Sequence, residues 1–280
     1  MSKNDFHHYH TITGLNGASG LVVDDANLIL IADDAYVLYI FSIENQQLKK
    51  ISLTNGVEPE ERITKALKPD FEAISKHDGC YYIFGSGSAG NRFDFIKIKA
   101  GNFETVQRTS IKSLYNEMMK LSSVSDTDFN IEAVIVEENH SYFFNRGNGP
   151  NQRNGLFKVK NLEKEEREIE FHPIDLPPLD GTPSGFTAAC RDGSLIYFIA
   201  SAESGDSTYL DGELKGSAFG ILDAENLRLK DFKVITIQHK IEGISILNKT
   251  AGSIEFILCE DADDEINETN LFKYTHKIYE

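Results

Sequence analysis

Five short segments of the chain each place a polar residue before a small residue and then an apolar one. The polar residue is serine or glutamate, the small residue is glycine or alanine, and the third is aliphatic or aromatic. The five segments are Ser19-Gly20-Leu21, Glu72-Ala73-Ile74, Glu132-Ala133-Val134, Ser184-Gly185-Phe186 and Glu242-Gly243-Ile244. By subtraction of residue numbers, successive segments lie 53, 60, 52 and 58 residues apart. This near-constant interval indicates a repeated structural unit, whose serines and glutamates are the first candidates for chemistry.

Serines and glutamates gathered in one confined space are typical of a calcium site. Three carboxylates close together repel one another, so their pKa values rise unless a cation lies among them. Oxygen ligands with room for water suit calcium better than zinc or magnesium. The sequence therefore predicts that Ca²⁺ is bound by Ser19, Glu72, Glu132, Ser184 and Glu242. The alternative is that each carboxylate bonds to backbone groups of the next unit, without a metal.

A second set of polar residues follows the second apolar run of each unit. The set consists of Asp33 and Asp34, Ser86 and Ser88, Asn145 and Arg146, Ser201 and Glu203, and Glu260 and Asp261. Two more arginines, Arg92 and Arg153, lie in the same loops. Guanidinium groups bind phosphate or carboxylate through paired hydrogen bonds, which favours an anionic small molecule as the ligand. The alternative is that these residues form ordinary surface ion pairs and turns.

This second set predicts both a substrate site and a catalytic base. The predicted substrate-binding residues are Ser86, Arg92, Asn145, Arg146 and Arg153. A water molecule beside a bound cation can be activated for hydrolysis by a carboxylate. The carboxylates predicted to serve in this way are Asp34, Glu203, Glu260 and Asp261.

The residues around each segment predict four antiparallel strands. After Glu72, a first strand ends in the polar turn Lys76-His77-Asp78-Gly79, and an apolar second strand follows. The third strand alternates polar and apolar residues, and the fourth is more polar. This fall in hydrophobicity is typical of a propeller blade, so the sequence predicts an all-β fold, a five-bladed β-propeller of four-stranded antiparallel blades. The first strands bring the five segments to the axis, and the second polar set lies beside them.

The two ends of the chain predict how the ring closes. Only three strands follow Glu242, whereas the N-terminal residues Phe6 to Thr13 have the pattern of a strand. That strand is predicted to join the last blade and to cover an otherwise exposed edge. A six-bladed ring is the alternative architecture, although no sixth segment is found. We expect one domain over residues 1–280, with a helix within residues 110–124. The blades are expected at about 16–54, 69–110, 130–177, 183–238, and 240–280 together with 6–13.

The composition narrows the classes of function. The formal net charge is −16, so the average surface repels nucleic acid. The cysteines Cys80, Cys190 and Cys259 form no zinc or disulfide pattern. No apolar run is long enough to span a membrane. The N-terminal residues are not followed by the apolar run that a signal peptide contains. We therefore expect a cytoplasmic protein without nucleic-acid or membrane partners, unless a leader peptide has been trimmed.

Two families of propellers share parts of these patterns. The order Ser, Glu, Glu, Ser, Glu along the five segments resembles the calcium-activated nucleotidase (apyrase) family. That resemblance implies a five-bladed propeller with calcium in the central tunnel, although tryptophan, common in that family, is absent here. The residues Glu72-Ala73-Ile74, Asp78-Gly79, Ser86 and Arg92 are similar to those of bacterial phytase-like and SdiA-regulated propellers, many of which have no established activity.

The sequence thus predicts a calcium-binding β-propeller that hydrolyses phosphate esters at the mouth of the central channel. The alternative is a non-catalytic propeller that binds a protein or small-molecule ligand through the same mouth. A third interpretation is a structural ring whose polar residues only join the blades. The residue pattern leaves open whether the protein is an enzyme.

Overall fold

The chain forms five antiparallel sheets of four strands each, which confirms the five-bladed propeller over the six-bladed alternative. The computed structural model describes residues 5–54, 59–164, 166–204, 212–262 and 266–278. The innermost strands of neighbouring blades contact one another around a closed ring. Each innermost strand begins on the same face of the ring, which we call the mouth, and runs towards the opposite face.

The strands follow the predicted order within each blade. The N-terminal strand is β1 (Phe6–Thr13), and blade 1 contains β2 (Gly20–Asp24), β3 (Asn27–Ile31), β4 (Val37–Ser42) and β5 (Leu48–Ser52). Blade 2 contains β6 (Phe71–His77), β7 (Cys80–Gly85), β8 (Asp94–Lys99) and β9 (Thr105–Ser110). Blade 3 contains β10 (Ile131–Val136), β11 (His140–Asn145), β12 (Gly155–Lys160) and β13 (Glu168–Pro173). Blade 4 contains β14 (Gly185–Asp192), β15 (Leu195–Glu203), β16 (Leu214–Asp223) and β17 (Leu229–Thr236). Blade 5 contains β18 (Ile241–Lys249), β19 (Ser253–Glu260) and β20 (Glu268–Lys277).

Blade 5 is completed by the N-terminal strand, as the sequence predicts. Strand β1 pairs antiparallel with β20, so that Phe6 lies opposite Tyr274 and Thr13 opposite Glu268. The outermost position of the last blade is therefore filled by the other end of the chain. This pairing closes the ring and removes an unpaired edge from β20.

One helix, α1 (Lys112–Ser122), lies between blades 2 and 3 and confirms the helix expected in this region. Its residues Leu114, Tyr115 and Met118 are buried in the apolar core between these two blades. The Tyr115 hydroxyl donates a 2.8 Å hydrogen bond to the backbone carbonyl of Gly85, at the end of β7. The helix thus fills the wedge between the blades. No described helix is long and apolar enough to cross a membrane.

The start of the innermost strand is irregular in four of the blades. In each, the strand register skips one residue, which is the mark of a β-bulge. The skipped residues are Glu72, Glu132, Thr187 and Glu242. In blade 1 the Ser19 amide donates to the carbonyl of Ile31, and Ile31 is also the residue that lies opposite Gly20. Two residues, Ser19 and Gly20, therefore face one residue of the next strand. An extra residue in a strand re-aims its side chain, so these five positions do not follow the regular pleat.

Candidate functional site

The channel axis is surrounded by the five residues at these irregular strand starts, which we call the ring positions. They are Ser19, Glu72, Glu132, Thr187 and Glu242. Four of the five ring positions belong to the ligand set predicted from the sequence. The fifth differs, because the register of blade 4 places Thr187, and not Ser184, at the equivalent position.

Ser184 lies three residues before the ring position of its blade. Its hydroxyl donates a 2.8 Å hydrogen bond to the carbonyl of Pro177, in the connection that precedes β14. The segment Thr187-Ala188-Ala189 also fits the pattern of polar, small and apolar residues once threonine is allowed as the polar residue. Its first residue lies 55 residues from Glu132 and 55 from Glu242 by subtraction, which is a more regular interval than that of Ser184.

The two hydroxyl ring positions join neighbouring blades. The Thr187 hydroxyl donates a 2.6 Å hydrogen bond to the carbonyl of Ile241, the residue just before Glu242. The Ser19 hydroxyl donates in the same way to the carbonyl of Phe71, the residue just before Glu72. Both side chains belong to residues that are 1% exposed. Blade 1 is thereby tied to blade 2, and blade 4 to blade 5.

The three glutamate ring positions converge on the axis. One nitrogen of Arg146, Nη1, lies 3.2 Å from Glu132 Oε1 and 3.9 Å from Glu242 Oε1. Together with Glu72, these glutamates line a narrow neck of the channel with a volume of about 20 Å³. That volume holds a group the size of one water molecule. Residues more than a hundred positions apart in the chain therefore meet at one point, as the repeat predicts.

Basic residues approach this ring from the mouth. Arg146, 6% exposed, contacts Glu203 as well as the two ring glutamates. The ammonium nitrogen of Lys240 lies 3.0 Å from Glu242 Oε1 and 3.7 Å from Glu203 Oε2. Burial opposes the charge on Arg146, but the surrounding carboxylates raise the pKa of its guanidinium above the ordinary value. These ion pairs neutralise much of the charge on the blade 3 and blade 5 side of the ring.

Glu132 and Glu72 have different electrostatic surroundings. Burial raises the pKa of the Glu132 carboxyl, while Arg146 and Lys240 oppose that rise. Burial also raises the pKa of Glu72 well above the ordinary value, and Glu132, Asp70 and Glu242 raise it further against the opposing effect of Lys68. No described basic residue lies within ion-pair distance of Glu72. Glu72 is therefore the ring glutamate whose negative charge is least compensated by the protein.

Two aspartates lie close to Glu72 on the mouth side. Carboxylate oxygens of Asp33, Asp70 and Glu72 lie within 4.8 Å of one another. Asp70 lies 2.8 Å from Arg92 Nη1 and 3.0 Å from the Lys68 ammonium nitrogen, and Lys68 also contacts Asp33. This group, which we call the acidic cluster, contains one ring position and the ends of two loops.

Ser86, Arg92 and Asn145 serve as supports beside the ring. The hydroxyl of Ser86 donates to Asp70, and Arg92 is 3% exposed and also donates to Ser88 at 2.8 Å. The amide nitrogen of Asn145 donates to the backbone carbonyls of Asp128 and Arg153 at 3.1 and 2.7 Å. These contacts hold the loops that follow the second strands of blades 2 and 3.

Arg153 and the predicted catalytic carboxylates have further contacts around the mouth. Arg153 is exposed and donates to the carbonyl of Ser122, at the end of α1.

Among the predicted catalytic carboxylates, Asp34 accepts a 3.1 Å hydrogen bond from Asn16, and burial raises the pKa of its carboxyl. Glu260 accepts hydrogen bonds from Asn270 at 2.8 Å and from His239, whose Nδ1 lies 2.7 Å away. Asp261 packs so closely on Gly17 that any side chain there would collide with it. Glu203 contacts Arg146 and Lys240, the bases that pair with the ring, and the backbone amide of Asp261 donates to the carbonyl of Lys240.

Among the described residues, the carboxylates of the ring, the acidic cluster and their ion pairs outnumber the bases that pair with them. Six carboxylates form the ring and its ion pairs, namely Asp33, Asp70, Glu72, Glu132, Glu203 and Glu242. Four basic side chains pair with them, namely Lys68, Arg92, Arg146 and Lys240. With every group ionised, the balance of these ten side chains is −2, a charge that one divalent cation neutralises.

The fold and the ring define a five-bladed β-propeller with an acidic axial site. The chain matches the family of unknown function DUF6929 over residues 14–275, and it belongs to that family. No curated protein matches the sequence. The membership therefore names a family without adding an activity.

Solved structures with a similar fold are only distantly related in sequence. Myxococcus xanthus glutaminyl cyclase is 10% identical, with a TM-score of 0.51, over 98% of this chain and 97% of that one. The Myceliophteria thermophila Cps50 (Swd1) β-propeller domain is 7% identical, with a TM-score of 0.45, over 95% and 99% of the two chains. Kuenenia stuttgartiensis hydrazine synthase is 11% identical, with a TM-score of 0.43, over 90% of this chain and 58% of that one. The chain thus spans little more than half of that last protein. The likeness to the glutaminyl cyclase concerns the fold alone.

Proposed function

We propose that the protein is a calcium-binding propeller whose cation lies on the mouth side of the ring, held by the acidic cluster. The observation that carries this proposal is the 4.8 Å grouping of oxygens from Asp33, Asp70 and Glu72. Oxygens that share one calcium lie within about 5 Å of each other, because each calcium–oxygen bond is about 2.4 Å long. Three carboxylates with space for water suit calcium better than the smaller magnesium ion.

The surrounding charge supports a divalent cation at this place. Glu72 has the least compensated charge of the ring, and the ten charged side chains of the ring, the acidic cluster and their ion pairs have a balance of −2 when all are ionised. Of the predicted ligands, Ser184 lies in the connection before β14, where its hydroxyl donates to Pro177, and Glu72 is the one that belongs to the acidic cluster. Lys68 contacts both aspartates of the cluster, so calcium binding requires its ammonium group to move outward.

This competition gives a direct test of the site. We expect the wild-type melting temperature to rise when calcium replaces a chelator, with a stabilisation of about 2.7 kcal/mol at a hundred times the dissociation constant. The Glu72→Gln variant should lose this response. The Lys68→Met variant should bind calcium more tightly in isothermal titration calorimetry, because the competing ammonium group is gone.

A matched control is Lys160→Met, which removes an exposed lysine from the surface of blade 3. It should leave the calcium affinity of the wild type unchanged. An unchanged melting temperature of the wild type between chelator and millimolar calcium would overturn the proposal. Equal calcium affinities of the wild type and Lys68→Met would place the ion elsewhere.

Binding is better supported at the mouth than hydrolysis of a phosphate ester. The guanidinium groups of Arg92 and Arg146 are buried and pair with carboxylates, so an anionic substrate must compete with those partners. Glu203 is the predicted catalytic carboxylate that contacts the bases of the ring. Calcium-dependent release of p-nitrophenol from p-nitrophenyl phosphate, lost in Glu203→Gln, would support hydrolysis. No turnover by calcium-loaded wild type would favour the non-catalytic alternative.

A further inference from the structure

Below the ring, away from the mouth, the channel is surrounded by apolar side chains. They stand two residues after each ring position, at Leu21, Ile74, Val134, Ala189 and Ile244. All five line the neck that contains the ring glutamates, and we call them the collar. The collar repeats in all five blades, and this regularity supports Thr187 as the ring position of blade 4.

Beyond the collar the channel widens into a cavity of about 340 Å³ that opens on the face opposite the mouth. This volume lies within the range of pockets that bind small molecules. Its wall is formed by all five innermost strands and includes the aliphatic residues Val22, Ile135 and Ile246. The cavity and the neck share the collar as their common wall, so the two spaces adjoin at the collar, and the carboxylates of Glu72, Glu132 and Glu242 line the neck. We call the cavity and the neck together the funnel.

The basic residues near this funnel are engaged at its two ends. At the wide end, Lys76 pairs with Asp24, and Arg191 Nη1 lies 2.6 Å from Glu137. At the ring, Arg146 and Lys240 approach the glutamates from the mouth. The wide end is therefore lined by polar and charged side chains, among them His77 and Glu137, as well as by aliphatic ones. A ligand that enters there passes this mixed rim, then the aliphatic collar, and meets the carboxylates at the narrow end.

We propose that this funnel binds a primary organic amine with an apolar chain, whose ammonium group reaches the ring glutamates through the collar. Charge favours a cation, because the charged groups that line the narrow end, among the described residues, are the three glutamates. Glu132 and Glu242 already pair with Arg146 and Lys240, so Glu72 is the glutamate that attracts the ammonium group. Size selects a primary amine, because the neck of about 20 Å³ admits a group the size of a water molecule. The chain of the amine is bound by burial of its methylene groups against the collar and the cavity wall.

This binding goes beyond the proposed calcium site, although both use Glu72. Calcium reaches Glu72 from the side of Asp33 and Asp70, whereas the amine reaches it through the collar. Two substitutions separate the two sites. Asp33→Asn removes a carboxylate that does not line the funnel, and Ala189→Leu adds bulk to the collar without altering a carboxylate.

The experiment is isothermal titration calorimetry of the full chain with hexylamine, in chelator and near neutral pH. Each buried methylene should increase the affinity about fourfold, so hexylamine should bind roughly fifty times more tightly than propylamine. Hexanoate tests the charge, and hexyltrimethylammonium tests the size of the cationic head. Neither should bind measurably.

The variants make the outcome specific. Ala189→Leu should lose hexylamine binding and keep the melting-temperature response to calcium, whereas Asp33→Asn should do the reverse. Circular dichroism spectra like that of the wild type would show that both variants fold, and Ala189→Val serves as a smaller substitution if Ala189→Leu does not. No heat with hexylamine, or equal affinity for hexyltrimethylammonium, would overturn the amine site. Loss of the calcium response alone would overturn only the calcium site.

Discussion

The ring positions of blades 1 and 4 differ in chemistry from those of blades 2, 3 and 5. Ser19 and Thr187 are almost fully buried, and each donates its one hydroxyl proton to the backbone of the next blade. The three glutamates have no proton to donate when ionised, so they cannot form the same hydrogen bond. Glu132 and Glu242 pair instead with Arg146 and Lys240, and all three glutamates line the narrow neck.

This difference shows how one backbone position serves two purposes. A hydroxyl at a ring position satisfies a buried carbonyl and holds two blades together, which is a structural role. A carboxylate at the same position places a buried negative charge beside two others. This charge destabilises the folded protein unless a base or a bound cation neutralises it, but it also creates a possible cation site. The blades that carry glutamate are therefore expected to respond to cations and pH, whereas the blades that carry hydroxyls are not.

The largest expected effect comes from removing Arg146, the basic residue that pairs with ring glutamates of blades 3 and 5. Arg146→Met leaves Glu132, Glu242 and Glu203 without their shared guanidinium group. Breaking a buried ion pair in this way should lower the free energy of unfolding by about 3–5 kcal/mol, measured by urea denaturation in chelator. The matched control is Arg167→Met, which breaks a partly exposed pair with Glu117 and should cost no more than about 1 kcal/mol. A similar decrease in the free energy of unfolding for both variants would show that the ion pairs of the ring stabilise the protein no more than a surface ion pair does.

A smaller loss is expected from removing a hydroxyl. Thr187→Val keeps the shape of the side chain but removes the 2.6 Å donor of the Ile241 carbonyl, to which the Ser201 hydroxyl also donates at 3.5 Å. Loss of this buried hydrogen bond should cost about 1 kcal/mol in urea denaturation. Thr187→Ser retains the hydroxyl and should stay closer to the wild type. Equal losses in the two variants would mean that packing, and not the hydrogen bond, matters at this position.

The smallest effect is a dependence on pH in the metal-free protein. Because the pKa of Glu72 is raised above the ordinary value of 4.5, the folded state holds this proton more tightly than the unfolded state. The contribution of Glu72 to stability is therefore most favourable at low pH, and it declines as the pH rises from 4.5 towards the folded-state pKa. Glu72→Gln should remove this decline, so the variant should exceed the wild type in stability near neutral pH.

Urea denaturation in chelator over a series of pH values measures this difference. The advantage of Glu72→Gln should shrink as the pH falls, and it should vanish below 4.5, where Glu72 becomes protonated in both states of the wild type. An exposed control, Glu168→Gln on the surface of blade 3, should follow the wild type at every pH. A variant that lost stability at neutral pH would show that the negative charge of Glu72 is needed even without a cation.

Much of the fold could be predicted from local patterns. The repeated segment marks the start of each innermost strand, and the alternation of side chains then predicts the strands that follow. The N-terminal residues Phe6–Thr13 form the predicted closing strand, and residues Lys112–Ser122 form the predicted helix. These features depend on residues close together in the chain or on the number of strands in each unit.

Parts of the site could not be predicted in the same way. A bulge depends on the pairing of two strands, so Ser184 and Thr187 both fit the sequence pattern and only the register separates them. Lys68 and Lys240 escaped sequence reasoning, although each lies a few residues before a ring glutamate. A basic residue in the connection that enters an innermost strand is the signal that would have found both.

The sequence by itself determined that five equivalent units exist and that each begins with a polar residue, because strand periodicity and repeat spacing are local properties of the chain. Only the tertiary structure decided which polar residues pair with which. Closing the ring places Arg146 against Glu132 and Glu242, and it gives Glu72 two aspartates as neighbours instead of a directly paired base. The distances between these side chains depend on the strand register within each blade and on the angle between neighbouring blades. Neither can be derived from a short stretch of sequence.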